Sequence, residues 1–239
     1  MMETFHEFYY KSKLPRNTPD YKVQNATKRN VVIIVSQPND EILWAGGIIL
    51  KHQKAWNWHI ICLCQRQNEE GISKFKKALK ALKVNGAIMS LDDGTEIKTS
   101  NQKILEKAII QNLPPCEIDL IITHNPKREH AGYTKDIGKA VITLWQNGTI
   151  RTRSLWCFAY QDKSQSFYPR AIIGADFYYP LHELVVRVKH RLLNEIYGIG
   201  LESPEIFTCP ASEAFWSFTN SSKAFNWLNK QNNKVMKHT

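Results

Sequence analysis

At 239 residues, with 43% hydrophobic and 23% charged side chains, the chain can bury one sizeable α/β core and is too apolar to be a disordered segment. No apolar run is long enough to span a membrane, and the leading MMETFHEFYYKSKLPRN has no apolar signal core, so a cytoplasmic location is expected. The net charge of +10 gathers at the ends (Lys11, Lys13, Arg16, Lys22, Lys28 and Arg29, then Lys223, Lys230, Lys234 and Lys237). It reads as a solvated basic surface and not as a partner-binding face.

In chain order, residues 1–29 lack a clear period and are read as an arm or irregular lead-in; residues 30–239 are read as one domain. Val31 to Val35 is a buried strand, followed by the polar turn Ser36–Glu41 and a helix opening with Gly46-Gly47. Trp58–Cys64 is a second strand. Ile72, Phe75, Leu79 and Leu82 fall at helical spacing with lysines on the other face. GAIMSL is a third strand, and NQKILEKAIIQNL is an amphipathic helix stopped by Pro114-Pro115. Glu117–His124 is a fourth strand, and KDIGKAVITLWQNG is a helix ending near Gly148. Ser154–Tyr160 is a further strand, LHELVVRVKHRLLNEIYG a long helix and ASEAFWSF a short helical piece.

Buried strands alternating with amphipathic helices predict an α/β fold, a Rossmann-like three-layer sandwich with a mainly parallel sheet. In such sheets ligands bind beyond the carboxyl ends of the strands. The loops Ser36–Glu41 and His124–Thr134 should therefore open on one edge. The five cysteines, Cys62, Cys64, Cys116, Cys157 and Cys209, form no CxxC pair and read as reduced, mostly buried thiols. His52 and His59 flank an apolar strand and read as structural.

A histidine, adjacent carboxylates and a second histidine on such loops would suit hydrolytic zinc, which takes imidazole and carboxylate ligands and keeps a position for water. Gln37-Pro38-Asn39-Asp40-Glu41 with Gly46-Gly47 beyond it resembles the first loop of the PIG-L/LmbE-like family, relatives of N-acetylglucosaminyl-phosphatidylinositol de-N-acetylase, whose loop reads His-Pro-Asp-Asp-Glu. LDDGTE, DLIITHNPKRE, KAVITLW and LWCFAYQD are similar to one bacterial branch, and the resemblance runs from about Val31 to Trp216.

The resemblance implies a divalent metal, usually zinc, and removal of acetyl groups from N-acetylated sugars. It implies that the first loop's His and second Asp are ligands, that its first Asp is the general base, and that a later His-x-x-His segment supplies an acid and a third ligand. On this chain Gln37 stands at the first ligand position, Asn39 at the base and Asp40 at the retained ligand. Ala131 stands at the acid position and Thr134 at the last ligand. In a register slipped by one, His130 takes the acid position and Tyr133 the ligand position. A neutral amide is a poor zinc ligand, and it cannot take a proton near neutral pH.

The expectation is therefore a catalytically inactive de-N-acetylase-fold protein with no cofactor, binding a sugar-containing small molecule or a protein partner at the former cleft. Glu41, Tyr133, Tyr160 and Asp162 are expected to line that cleft, while Asp40 and Glu41 can also serve as first-turn acids of the helix. One alternative is a divergent deacetylase or amidohydrolase, with His124 or His130 joining Asp40 around zinc. The other is a basic polyanion-binding module. No nucleic-acid motif supports it, so nucleic acid is not an expected partner.

Overall fold

The structure is a computed structural model that describes residues 28–64, 69–89, 91, 102–127, 132–160, 170–200, 202 and 209–230. Its strands are β1 (Arg29–Val35), β2 (Trp56–Cys62), β3 (Asn85–Ile88), β4 (Ile118–Thr123), β5 (Thr152–Phe158), β6 (Phe177–Pro180) and β7 (Ser212–Phe218). Its helices are α1 (Asp40–His52), α2 (Glu69–Leu82), α3 (Gln102–Asn112), α4 (Gly132–Gln146), α5 (Glu183–Tyr197) and α6 (Ser221–Asn229).

The seven strands form one sheet in the order β3-β2-β1-β4-β5-β7-β6. The first five run parallel, with Ile33 beside Ile60 on one side and Ile122 on the other. β7 runs antiparallel to β5 and to β6. The fold is thus the expected α/β sandwich with a mainly parallel sheet.

Both faces of β1 are apolar because both are covered. Val31, Ile33 and Val35 pack with Ile42, Ile49, Phe75 and Leu193, on the side of α1, α2 and α5. Val32 and Ile34 pack with Leu105, Ile109, Ile137 and Val141, on the side of α3, α4 and α6. A central parallel strand buried in this way reads as an unbroken apolar run.

Four elements depart from the sequence reading. The stretch expected as a short helix near the end is strand β7, carrying Glu213, Ala214 and Phe215 into the interior. β6 and α6 had no expected counterpart. β1 begins at Arg29, the last residue of the expected arm, and residues 1–27 lie outside the described residues. Among the described residues no helix is long and apolar enough to cross a membrane. Cys62, Cys64, Cys157 and Cys209 are buried thiols, and Cys116 is an exposed one.

Candidate functional site

β1 and β4 are parallel neighbours, and the chain leaves them in different directions along the sheet: toward β2 after β1, and toward β5 after β4. Such a switch point opens a crevice at the carboxyl edge. Ser36–Asn39 follows β1 there, and His124–Lys127 follows β4.

The first loop turns on Asn39, whose φ of 88° lies in the left-handed region. Asparagine tolerates that region better than most residues. Its side chain makes no cap bond to α1. Its carbonyl instead accepts from Ile42 and Leu43, and its own N–H donates to Glu41 Oε2 at 3.0 Å.

Asp40 is the first residue of α1, and donors engage both of its oxygens. The Trp44 indole N–H donates to Oδ1 at 3.1 Å, and the Gln37 N–H donates to Oδ2 at 2.9 Å. Asp40 thereby ties the loop back onto the helix that follows it.

His124 directly follows β4 and is 5% exposed, with its ring edge-on to Phe158. The Ser36 N–H donates to its Nε2 at 3.0 Å, which requires a lone pair on that nitrogen. Asp40 Oδ2 lies 3.3 Å from the same Nε2. Two acceptor atoms therefore converge. Ligands about 2.0–2.1 Å from a tetrahedral zinc stand about 3.4 Å apart, so these two atoms could share such a cation. Among the described residues, however, no group of three His, Cys, Asp or Glu side chains is placed to hold a metal.

Glu41 points inward. It is wholly buried, accepting from the Tyr197 hydroxyl at 2.7 Å on Oε1. Burial pushes its pKa up from the usual carboxylate range to about 7; the Tyr197 bond works against that shift, and the Asp40 charge adds to it. Tyr160, also expected at the cleft, is 2% exposed and donates to the Trp44 carbonyl at 3.3 Å. Both side chains brace α1 from within.

Gln37 is exposed, and Thr134 lies in the first turn of α4, half-buried. Tyr133 belongs to the same turn. His130, Ala131 and Asp162 lie outside the described residues. His59 is half-buried, with Nε2 3.2 Å from the Asn112 carbonyl, and His52 stacks on Trp56.

Sequence reasoning missed Trp44 and Tyr197. Trp44 stands four residues after Asp40, a spacing that puts both on one helix face, so its indole was a findable partner. Tyr197 is 156 residues from Glu41, and nothing local signals that contact.

A charged groove at the opposite edge is lined by Lys28, Arg29, Asn30, Glu117, Asp119 and Arg153. Its charges answer one another, with Arg153 3.5 Å from Glu117 and 3.3 Å from Asp119. It lies at the amino ends of β1 and β4, away from the crevice.

No protein-family profile matches the chain, and no curated protein matches it. Solved structures do. An N,N'-diacetylchitobiose deacetylase from Pyrococcus horikoshii is 14% identical with a TM-score of 0.51, over 95% of this chain and 96% of its own. The 4-carboxy-2-hydroxymuconate hydratase GalB from Pseudomonas putida is 10% identical with a TM-score of 0.53, over 80% of this chain and 97% of its own. A conserved protein from Thermus thermophilus is 12% identical with a TM-score of 0.54, over 80% of this chain and 95% of its own. At these identities the likeness is one of fold alone, an α/β sandwich with a mainly parallel sheet.

Proposed function

We propose that this chain is a PIG-L/LmbE-like protein that has lost de-N-acetylase chemistry and binds a sugar-containing ligand or a protein partner at the former active-site crevice. The observation that carries this reading is the state of the first loop. Asp40, at the one retained ligand position, gives both oxygens to donors of its own chain, Trp44 Nε1 and the Gln37 N–H. An amide side chain, Asn39, stands where a carboxylate base would have to accept a proton from water, and an amide has no such basicity near neutral pH. The similarity in fold to a diacetylchitobiose deacetylase suggests a sugar as the ligand class.

The test is metal content and turnover of protein purified without chelators. It is expected to carry far less than one zinc per chain and to release no acetate from N,N'-diacetylchitobiose, while the disaccharide perturbs the Gln37 and Trp44 resonances on titration. Acetate release abolished by Asp40→Ala would overturn the inactive reading. Gln37→His combined with Thr134→His is expected to create zinc binding with Asp40, read by calorimetry. Two imidazoles and a carboxylate make the three-ligand open site of hydrolytic zinc. If the folded double variant binds zinc no better than the native protein, Thr134 is not the lost ligand position and the Tyr133 register is to be tried.

A second reading rests on the 3.3 Å approach of Asp40 Oδ2 to His124 Nε2. It makes the chain a divergent zinc-dependent deacetylase in which His124 replaces a ligand. Stoichiometric zinc lost in His124→Ala would select it.

A further inference from the structure

Helix α1 is engaged at its middle by a buried ion pair from two other elements. Lys189 of α5 and Glu213 of β7 are both 0% exposed, and Lys189 Nζ lies 2.7 Å from Glu213 Oε1. In a regular α-helix the Gly47 N–H donates to the Leu43 carbonyl and the Ile48 N–H to the Trp44 carbonyl. Here all four groups have partners from outside the helix. Gly47 N–H donates to Glu213 Oε1 at 2.7 Å and Ile48 N–H to Oε2 at 2.8 Å. The Leu43 carbonyl accepts from Lys189 Nζ at 3.1 Å, and the Trp44 carbonyl accepts from the Tyr160 hydroxyl.

The signs of the charges suit this placement. The carboxylate meets two backbone N–H groups and the ammonium meets a backbone carbonyl, so each charge faces a partial charge of opposite sign. The two glycines make room for the approach. A Cβ on Gly47 would stand 2.4 Å from Leu181 Cδ2 and 3.0 Å from Glu213 Oε1, and one on Gly46 would stand 3.3 Å from Lys189 Cγ.

We propose that Lys189 and Glu213 are positioning residues for the crevice: their bonds to backbone groups at the middle of α1 set where its first turn, with Asp40 and Trp44, stands against β4 and His124. A pair serving stability alone could be replaced by packed apolar side chains at little cost. This one spends its contacts on backbone groups one turn from the loop. The Leu43 carbonyl that Lys189 holds lies within one turn of Asp40, so this grip bears on how Asp40 meets the Gln37 N–H. The inference rests on the reading of this loop as the functional one. Its test reads geometry without any ligand, so a failure to bind sugar leaves it standing.

The experiment compares amide and indole resonances of the native protein with Glu213→Gln. In the native protein Gly47 and Ile48 should resonate well downfield of the other α1 amides, because short bonds to a carboxylate deshield the proton. In Glu213→Gln at least one of these downfield shifts should be lost. The Trp44 indole N–H and the Gln37 amide should move with it, while Gly86 and Gly148, on distant elements, stay in place. If Gly47 and Ile48 change while Trp44 and Gln37 keep their native positions, the pair is structural and the proposal is wrong. Ordinary helical shifts for Gly47 and Ile48 in the native protein would also overturn it. Should Glu213→Gln not fold, Lys189→Met with Glu213→Met, which leaves no unpaired charge, takes its place with the same expected displacement of Trp44 and Gln37.

Discussion

Helix α1 touches a fully buried carboxylate at two levels, and the two are handled in opposite ways. At its middle, Glu213 receives an ammonium and two backbone N–H groups. In its first turn, Glu41 receives the Tyr197 hydroxyl and the Asn39 N–H, and no cation stands among the groups that shift its pKa. Removing a carboxylate from water costs several kcal/mol if it stays charged and unpaired. At Glu213 a counter-charge and full hydrogen bonding offset that cost. At Glu41 the cost appears as a proton held up to about pH 7. The same residue type is therefore ion-paired in one place and, in the other, an acid that keeps its proton up to about pH 7.

The sharpest way to break the contrast is to turn the first kind of site into the second. Lys189→Met keeps the length of the side chain and removes its charge, leaving Glu213 buried with its two amide donors. The expected loss is about 3–5 kcal/mol, the usual consequence of removing one partner of a buried pair. Denaturant unfolding at neutral pH reads it. A loss below about 1 kcal/mol would mean that water or a neighbouring group already balances Glu213.

Glu41 is tested by pH. Its pKa is about 7 in the folded protein against 4.5 for the free group. Between those values the folded chain holds a proton that the unfolded chain has released, so stability falls as pH rises. The contribution is whole below about pH 4.5 and gone above about pH 7. The gap is about 2.5 units, worth on the order of 3 kcal/mol at about 1.4 kcal/mol per unit. Glu41→Gln should remove this slope. The quantity to measure is the difference between native and variant unfolding free energies from pH 5 to pH 8, which cancels the slopes of other groups. A difference that stays flat across this window would return Glu41 to an ordinary acid.

These two sites were not equally legible in the sequence. β1, β2, β4 and β5 announce themselves as apolar runs because both sheet faces are covered, and the loop after β1 was found because a strand-to-helix turn rich in polar groups has one place in such a fold. Asp40 and Glu41 were visible as a pair, but their divergence was not. One turns to the crevice and the other to the core, and the second finds its partner on a helix that is remote in sequence. Glu213 was hidden more deeply. Within ASEAFWSF a glutamate among apolar residues reads as the polar face of a helix, when its true setting is a buried strand opposite Lys189. Lysine on an amphipathic helix reads as solvated for the same reason. The pairing of two charges that local pattern places in water is a tertiary fact, and it displaced the strand assignment as well as the site.

The smallest expected effect is the most specific. Tyr197→Phe deletes one hydroxyl and leaves the ring, so packing is preserved and Glu41 keeps only its bonds to backbone N–H groups. While Glu41 carries its proton, the lost bond is between neutral groups and should cost about 1 kcal/mol. Once Glu41 is ionised, the lost bond is to a charge and should cost roughly 1.5–3 kcal/mol. The variant should therefore be mildly destabilised at pH 5 and more so at pH 8. The Tyr197 bond favours the ionised carboxylate, so without it the folded-state pKa of Glu41 should move above about 7 and the falling limb of stability should extend to higher pH. The same substitution in a Glu41→Gln background should show no such growth with pH, since a neutral amide meets the missing hydroxyl at every pH. If the cost of Tyr197→Phe is equal at pH 5 and pH 8, Glu41 does not change charge in that window, and the contrast between the two buried carboxylates of α1 reduces to one of geometry.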